Sequence, residues 1–238
     1  MTFSDIRVVN PTFVVDPDIA DEKGLTADIG IRGRVGKVLS YDLTAYSIFY
    51  NDRIGIIFNN RANRERTNIG DAIILGTESL LNVNFARWIS PDQRNYTLSA
   101  FVNSAFTFSE YLTSEENNVI GNKVEFIPSL NLKTGFDIGY KNLKATFQYT
   151  YLAEQFTDAQ NSRIAPVGDL RSGIVGEIPS YGIADVTLNY SWKSISLESG
   201  INNLFDASYF TRRATGYPGP GIIPSDGRSF FVTVGYTY

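Results

Sequence analysis

Arginine is the residue type in this sequence best placed to do chemistry. Arg61, Arg64 and Arg66 stand close together with only Glu65 against them, and Arg212 and Arg213 are adjacent. Tyr217 follows in the run Gly216-Tyr217-Pro218-Gly219-Pro220-Gly221, which reads as a structured loop tip because Pro fixes φ and Gly frees it. A guanidinium donates two parallel N–H bonds to a carboxylate or phosphate. Both clusters, with Tyr217, are therefore candidate contacts for an anionic ligand. The alternative is that these arginines bind surface phosphates or solvate their loops.

Other chemistry is absent by residue type. The sequence has no His and no Cys, which removes histidine-dependent triads, thiol nucleophiles, disulfides and His- or Cys-ligated zinc. The acid pairs Asp16/Asp18 and Glu115/Glu116 lack the glycine spacing of a calcium loop and read as solvated. Gly33-Arg34-Val35-Gly36 leads to a turn, with no helix to make it a nucleotide loop. A net charge of −4 argues against nucleic acid as a partner. The expectation is no catalytic residue, no metal site and no cofactor.

The elements that position the arginines follow from hydrophobic alternation. Leu25, Ala27, Ile29 and Ile31 alternate with Thr26, Asp28, Gly30 and Arg32; Phe230, Val232, Val234 and Tyr236 alternate with Phe231, Thr233 and Gly235. Period 2 means strands with one apolar and one polar face. About nine strands are expected, at 24–36, 39–57, 70–87, 94–110, 122–139, 143–157, 180–192, 195–203 and 227–238, all neighbours antiparallel. Connections alternate short and long: 36–38 and 58–69, 88–93 and 111–121, 141–142 and 158–179, 193–194 and 204–226. Phe126, Leu130, Phe147, Tyr149, Leu188, Tyr190, Val232 and Val234 should face outward, and Glu125, Lys133, Lys144, Gln148, Asp185 and Lys193 inward. Asn202-Asn203 should turn the chain, with Leu204 and Phe205 over the loop base.

Only 19% of residues are charged and 13% are aromatic. Long alternating strands, few charges and alternating connection lengths describe a transmembrane β-barrel rather than a soluble sandwich. Tyr41, Trp88, Tyr140, Trp192, Tyr236 and Tyr238 lie at the turn ends, and Tyr50, Phe108, Phe156 and Tyr181 at the loop ends, as two aromatic girdles would. No stretch approaches the ~20 apolar residues of a membrane helix, and Met1–Arg7 carries no apolar leader. Nine is odd where single-chain bacterial barrels are even, and 1–23 falls on the long-loop side. The chain is therefore expected to be part of a larger barrel, with 1–23 a partial extracellular loop; a miscounted strand is the competing account.

Three passages carry a family resemblance. Asn10-Pro11-Thr12-Phe13 followed by Thr26-Ala27-Asp28-Ile29-Gly30-Ile31-Arg32 resembles a mid-barrel passage of TonB-dependent outer-membrane receptors. Asn202-Asn203-Leu204-Phe205-Asp206 with Tyr209 is similar to the passage before their last strand, and Gly227–Tyr238 to that strand with its terminal aromatic. Tyr209–Arg213 and Tyr217–Gly221 look like the ferric-citrate branch. The resemblance implies an all-β antiparallel meander spanning 1–238, the C-terminal portion of a barrel that has 22 strands in the family and closes around a plug. It implies no enzyme, but the wall of an importer of a ferric chelate, siderophore or ferric citrate, in the outer membrane of a Gram-negative bacterium. The implied partners are membrane lipid and lipopolysaccharide, TonB through a plug with no counterpart here, and the outer-membrane assembly machinery, which would read Tyr236 and Tyr238. A passive porin or structural barrel is the alternative.

Overall fold

The structure, a computed structural model, describes residues 13–58, 64–92, 95–164, 173–213 and 221–237. Nine strands form one meander: β2 (Lys23–Val35), β3 (Leu39–Phe58), β4 (Arg64–Asn84), β5 (Tyr96–Tyr111), β6 (Leu130–Tyr140), β7 (Leu143–Leu152), β10 (Tyr181–Trp192), β11 (Ile195–Asn202) and β14 (Ser229–Tyr236). Each pairs antiparallel with the next in that order, and β2 and β14 are the two edges. The longer loops add short pieces: β1 (Phe13–Val15), the pair β8 (Gln155–Phe156) with β9 (Glu177–Ile178), and the hairpin β12 (Phe210–Arg213) with β13 (Ile222–Pro224). β1 lies parallel to Arg64–Arg66, above the point where β5 stops pairing with β4; this short ladder comes from the segment expected as loop, and the nine meander strands are all antiparallel as expected.

Cross-strand register sorts the side chains as alternation predicts. Thr44, Glu78, Ala105, Asn131 and Leu152 share one row, as do Asp42, Leu80, Asn103, Lys133 and Thr150. That polar face carries Lys144 bonded to Asp137 at 3.1 Å, with Ser99 and Thr146 on the same carboxylate. The opposite face is apolar and open: Ile29 is 77% exposed, Val232 and Val234 70% each, and Leu188 and Tyr190 nearly half. Some of the hydroxyls that interrupt it bond each other or backbone. Ser79 and Ser104 are 2.8 Å apart, and Thr134 donates to the Phe101 carbonyl at 2.8 Å. Such pairing is what an apolar surrounding demands of a polar group.

Tyr46, Phe101 and Phe231 break the alternation by standing on the polar face, each with a glycine opposite: Tyr46 against Gly76, Phe101 against Gly135, and Phe231 against Gly200. A Cβ on any of these glycines would collide with the facing ring. The ring covers the gap, the device known as aromatic rescue.

Several expectations need correction. The strand expected from 122 begins only at Leu130; 122–124 is coil, Glu125 and Phe126 form a turn, and Phe126, expected outward on a strand, sits at φ +59°. The strand expected to reach 87 ends at Asn84, whose side chain caps a single-turn helix, α1 (Phe85–Ile89), by accepting from Arg87 N at 2.9 Å. Lys193, expected on the polar face, turns its ammonium over the Trp192 ring of the apolar face. In the upper girdle Phe108 is exposed, but Phe156 is buried and Tyr50 packs on the core. The Asn203 turn is confirmed at φ +51°, with Asn203 exchanging two bonds with Ala207, while Phe205, expected over the loop base, is exposed.

Candidate functional site

The long connections gather at one end of the sheet, where the molecule has its one described core of buried apolar residues. Ile57, Ile69, Ala72, Ile74 and Tyr111 come from β3, β4 and β5; Val119, Val124 and Ala159 come from the loops laid over them. A bulge makes this possible. Register between β3 and β4 shifts between Tyr50 and Ile54, with Asp52 at φ +52° and Gly70 at φ +147°. A Cβ at Gly70 would meet the Thr113 carbonyl, so the loop after β5 lies directly on this hairpin.

Glu125 is the polar centre of the core. It is 5% exposed, accepts from the Tyr111 hydroxyl at 2.8 Å, and has Arg53 Nε 3.8 Å away. Gly55 leaves the room it needs, since a Cβ there would lie 2.7 Å from Glu125 Oε1. Burial pushes this carboxyl above its ordinary range, and Arg53 and Tyr111 oppose the shift without cancelling it. Asp158 is likewise raised by burial, against bonds from Ser162 N and Oγ at 3.1 and 2.8 Å. The two loops are stitched together by Lys123 to Glu154 at 2.9 Å and by Asn161, which bonds both backbone groups of Lys123.

An open hollow of about 600 Å³ lies beside this core, with Asp16, Asp52, Asp71, Glu115 and Glu116 on its walls. Asp16, expected to be merely solvated, accepts from Thr67 Oγ1 at 2.6 Å and from Asp18 N, and these bonds hold its carboxyl below the ordinary range. Among the described residues, no group of three or more carboxylates is placed to share a metal ion.

Among the described residues, the candidate arginines lie on two separate elements, β4 and β12. Arg61 and Tyr217 lie outside the described residues, as does Tyr238. Arg64 and Arg66, expected in a loop, belong to β4, where the hairpin extends past the wall; for Arg64 only the backbone is described. Arg66 pairs in register with Ile56, and its carbonyl accepts from Asp16 N at 3.0 Å. Arg212 and Arg213 sit on β12, and adjacent strand residues point to opposite faces. Arg212 is exposed, while Arg213 is half-buried. Its guanidinium donates to the Gly173 and Glu177 carbonyls at 2.9–3.2 Å, tying the last hairpin to the preceding loop. Tyr236 pairs with Ile195 and is exposed on the apolar face. Sequence reasoning missed Arg53 and Tyr111 as Glu125's partners. The available signal was one base and one acid set singly in apolar runs, Arg53-Ile54-Gly55-Ile56 and Val124-Glu125-Phe126.

Known proteins share this architecture. A family model described as TonB dependent receptor-like, beta-barrel matches residues 2–204. The fold is similar to the ferric citrate transporter FecA in the unliganded form, at TM-score 0.70 and 22% identity over 90% of this chain and 31% of that one. It is also similar to the ferric yersiniabactin uptake receptor FyuA from Yersinia pestis, at TM-score 0.66 and 16% identity over 90% and 30%. The siderophore receptor PiuA from Acinetobacter baumannii gives 0.63 and 20% over 90% and 28%. This chain thus spans less than a third of each of these receptors. No curated protein matches it. A meander with one apolar and one polar face, its loops packed at one end, and a family match over most of its length place the chain in the TonB-dependent receptor β-barrel family.

Proposed function

We propose that this chain forms part of the wall of an outer-membrane receptor that imports a ferric chelate, such as ferric citrate or a siderophore complex, under TonB drive. The supporting observation is the two-faced sheet: an apolar face that only lipid would cover, and a polar face that would line the lumen. The wall carries out no reaction. Its loop end offers hydrogen-bond donors to an anionic chelate, and Arg212 is the exposed described candidate. Arg66 lies on the β3–β4 hairpin, and lipopolysaccharide phosphates are a second destination for such side chains. Energy would reach the site through TonB acting on a plug, and the terminal strand with Tyr236 and Tyr238 would be read by the assembly machinery.

The test is uptake of radiolabelled ferric citrate by iron-starved cells in which the protein bearing this chain is the one remaining receptor. Uptake that saturates and stops when tonB is deleted supports the proposal. Uptake that is linear in concentration and indifferent to tonB would show a passive porin instead.

A further inference from the structure

The turn end of the sheet holds two lysines whose placement the fold itself does not require. Lys141 and Lys193 each take the first position of a two-residue turn, between the paired residues Tyr140 and Leu143 and between Trp192 and Ile195. Both sit at φ +53°, a region that favours Gly or Asn over residues with a longer side chain. The β2–β3 turn at Gly36-Lys37 follows the usual preference, with glycine at φ +56° and the lysine after it. Turn geometry alone therefore does not account for lysine at 141 and 193.

The side chains supply the reason. The Lys141 ammonium lies 5.1 Å from the centroid of the Tyr140 ring, and that of Lys193 lies 5.2 Å from the Trp192 ring. Both rings belong to the apolar face and are about half exposed, at 49% and 53%. Each charge is thus directed toward the apolar side, with its stem along an aromatic plane. Among the described residues neither ammonium has a carboxylate within ion-pair distance. The two hairpins are neighbours because β7 pairs with β10, which sets the turns about 10 Å apart by strand spacing. Lys37 differs: it lines a hollow of the polar face with Arg34 and Asp137.

We propose that Lys141 with Tyr140, and Lys193 with Trp192, form twin sites for the phosphate of anionic glycerophospholipids. The ammonium would meet the phosphate, and the ring the glycerol and first methylenes. The occupant is fixed by charge and shape: two cations with no carboxylate partner among the described residues, at the rim of an apolar wall, each seated on a ring that ends where the hydrocarbon would begin. This inference rests on the apolar face being a lipid-facing wall.

The sequence has two tryptophans, so Trp88→Phe leaves Trp192 as its single emitter. The full chain carrying that substitution is folded into phosphatidylcholine vesicles containing brominated phosphatidylglycerol or brominated phosphatidylcholine, and quenching of Trp192 gives their relative affinities. A preference of about five-fold for phosphatidylglycerol is expected at the Lys193 site. It should fall toward one in Lys193→Gln, survive in Lys193→Arg, change little in Lys37→Gln, and fade in the unsubstituted turn as salt rises from about 0.05 to about 0.5 M. Equal quenching by both lipids, or equal loss in Lys37→Gln, would overturn the twin sites and leave the membrane wall intact. Quenching by neither lipid would overturn the wall itself and the inference with it.

Discussion

Glu125 shows how one carboxyl can couple a loop to a wall. It is buried, its ordinary value of 4.5 is raised by that burial, and Arg53 is the charge that limits the rise. Between 4.5 and the raised value the folded loop binds more protons than the unfolded one, so docking weakens as pH rises through that window. Asp158 acts in the same sense. Asp16 and Glu154 act in the opposite one: their carboxyls are held low by Thr67 and Lys123, and what they contribute is lost as pH falls through the depressed values. Replacing Arg53 with Met removes the charge opposing burial. Hydrogen-exchange protection of 119–126, corrected for intrinsic rates, should then fall more at neutral than at acidic pH, by about 3–5 kcal/mol at most. An equal loss at both would show that Arg53 acts by packing alone. None of this coupling was legible in the sequence, because Val124-Glu125-Phe126-Ile127-Pro128 alternates like a strand and gives no hint that it packs as coil. The arginines were legible as residues but not in their setting. Arg64-Glu65-Arg66-Thr67 carries four polar side chains in succession, without the alternation that marks a strand, and so reads as loop.

The strands themselves were legible to within a few residues over most of the sheet, because each carries its apolar set on one face for its full length. The aromatics on the wrong face were not, since their partners are glycines one strand away, which no local pattern reveals. Tyr46 over Gly76 offers a test. The Tyr46 hydroxyl also bonds Thr107 Oγ1 at 3.0 Å, so this ring bridges three strands. Gly76→Ala should displace the ring, break that bond and cost about 1–3 kcal/mol. In Tyr46→Leu the same substitution should cost much less, and thermal unfolding in detergent of both singles and the double measures the coupling. Additive losses would mean that the ring and the glycine are merely adjacent.

At the scale of the whole molecule two features dominate: an uncovered apolar face, and backbone edges at β2 and β14 that pair with nothing among the described residues. Water tolerates neither well. Size-exclusion chromatography of the full chain should show aggregate in buffer and a discrete species in detergent; a monodisperse monomer in plain buffer would contradict the membrane wall. The order of the strands carries a further consequence, one of time. Every strand of the meander lies beside its predecessor in the chain, and four of the junctions are closed by a tight turn or a single helical turn. Closing so short a gap loses little entropy and takes microseconds, whereas bringing β6 to β5 or β10 to β7 must first order a long connection. The wall should therefore zip as hairpins before the hairpins join, and the slowest junctions are the ones whose connections carry the loop end. A chain built this way completes its sheet before the loop end that packs over it.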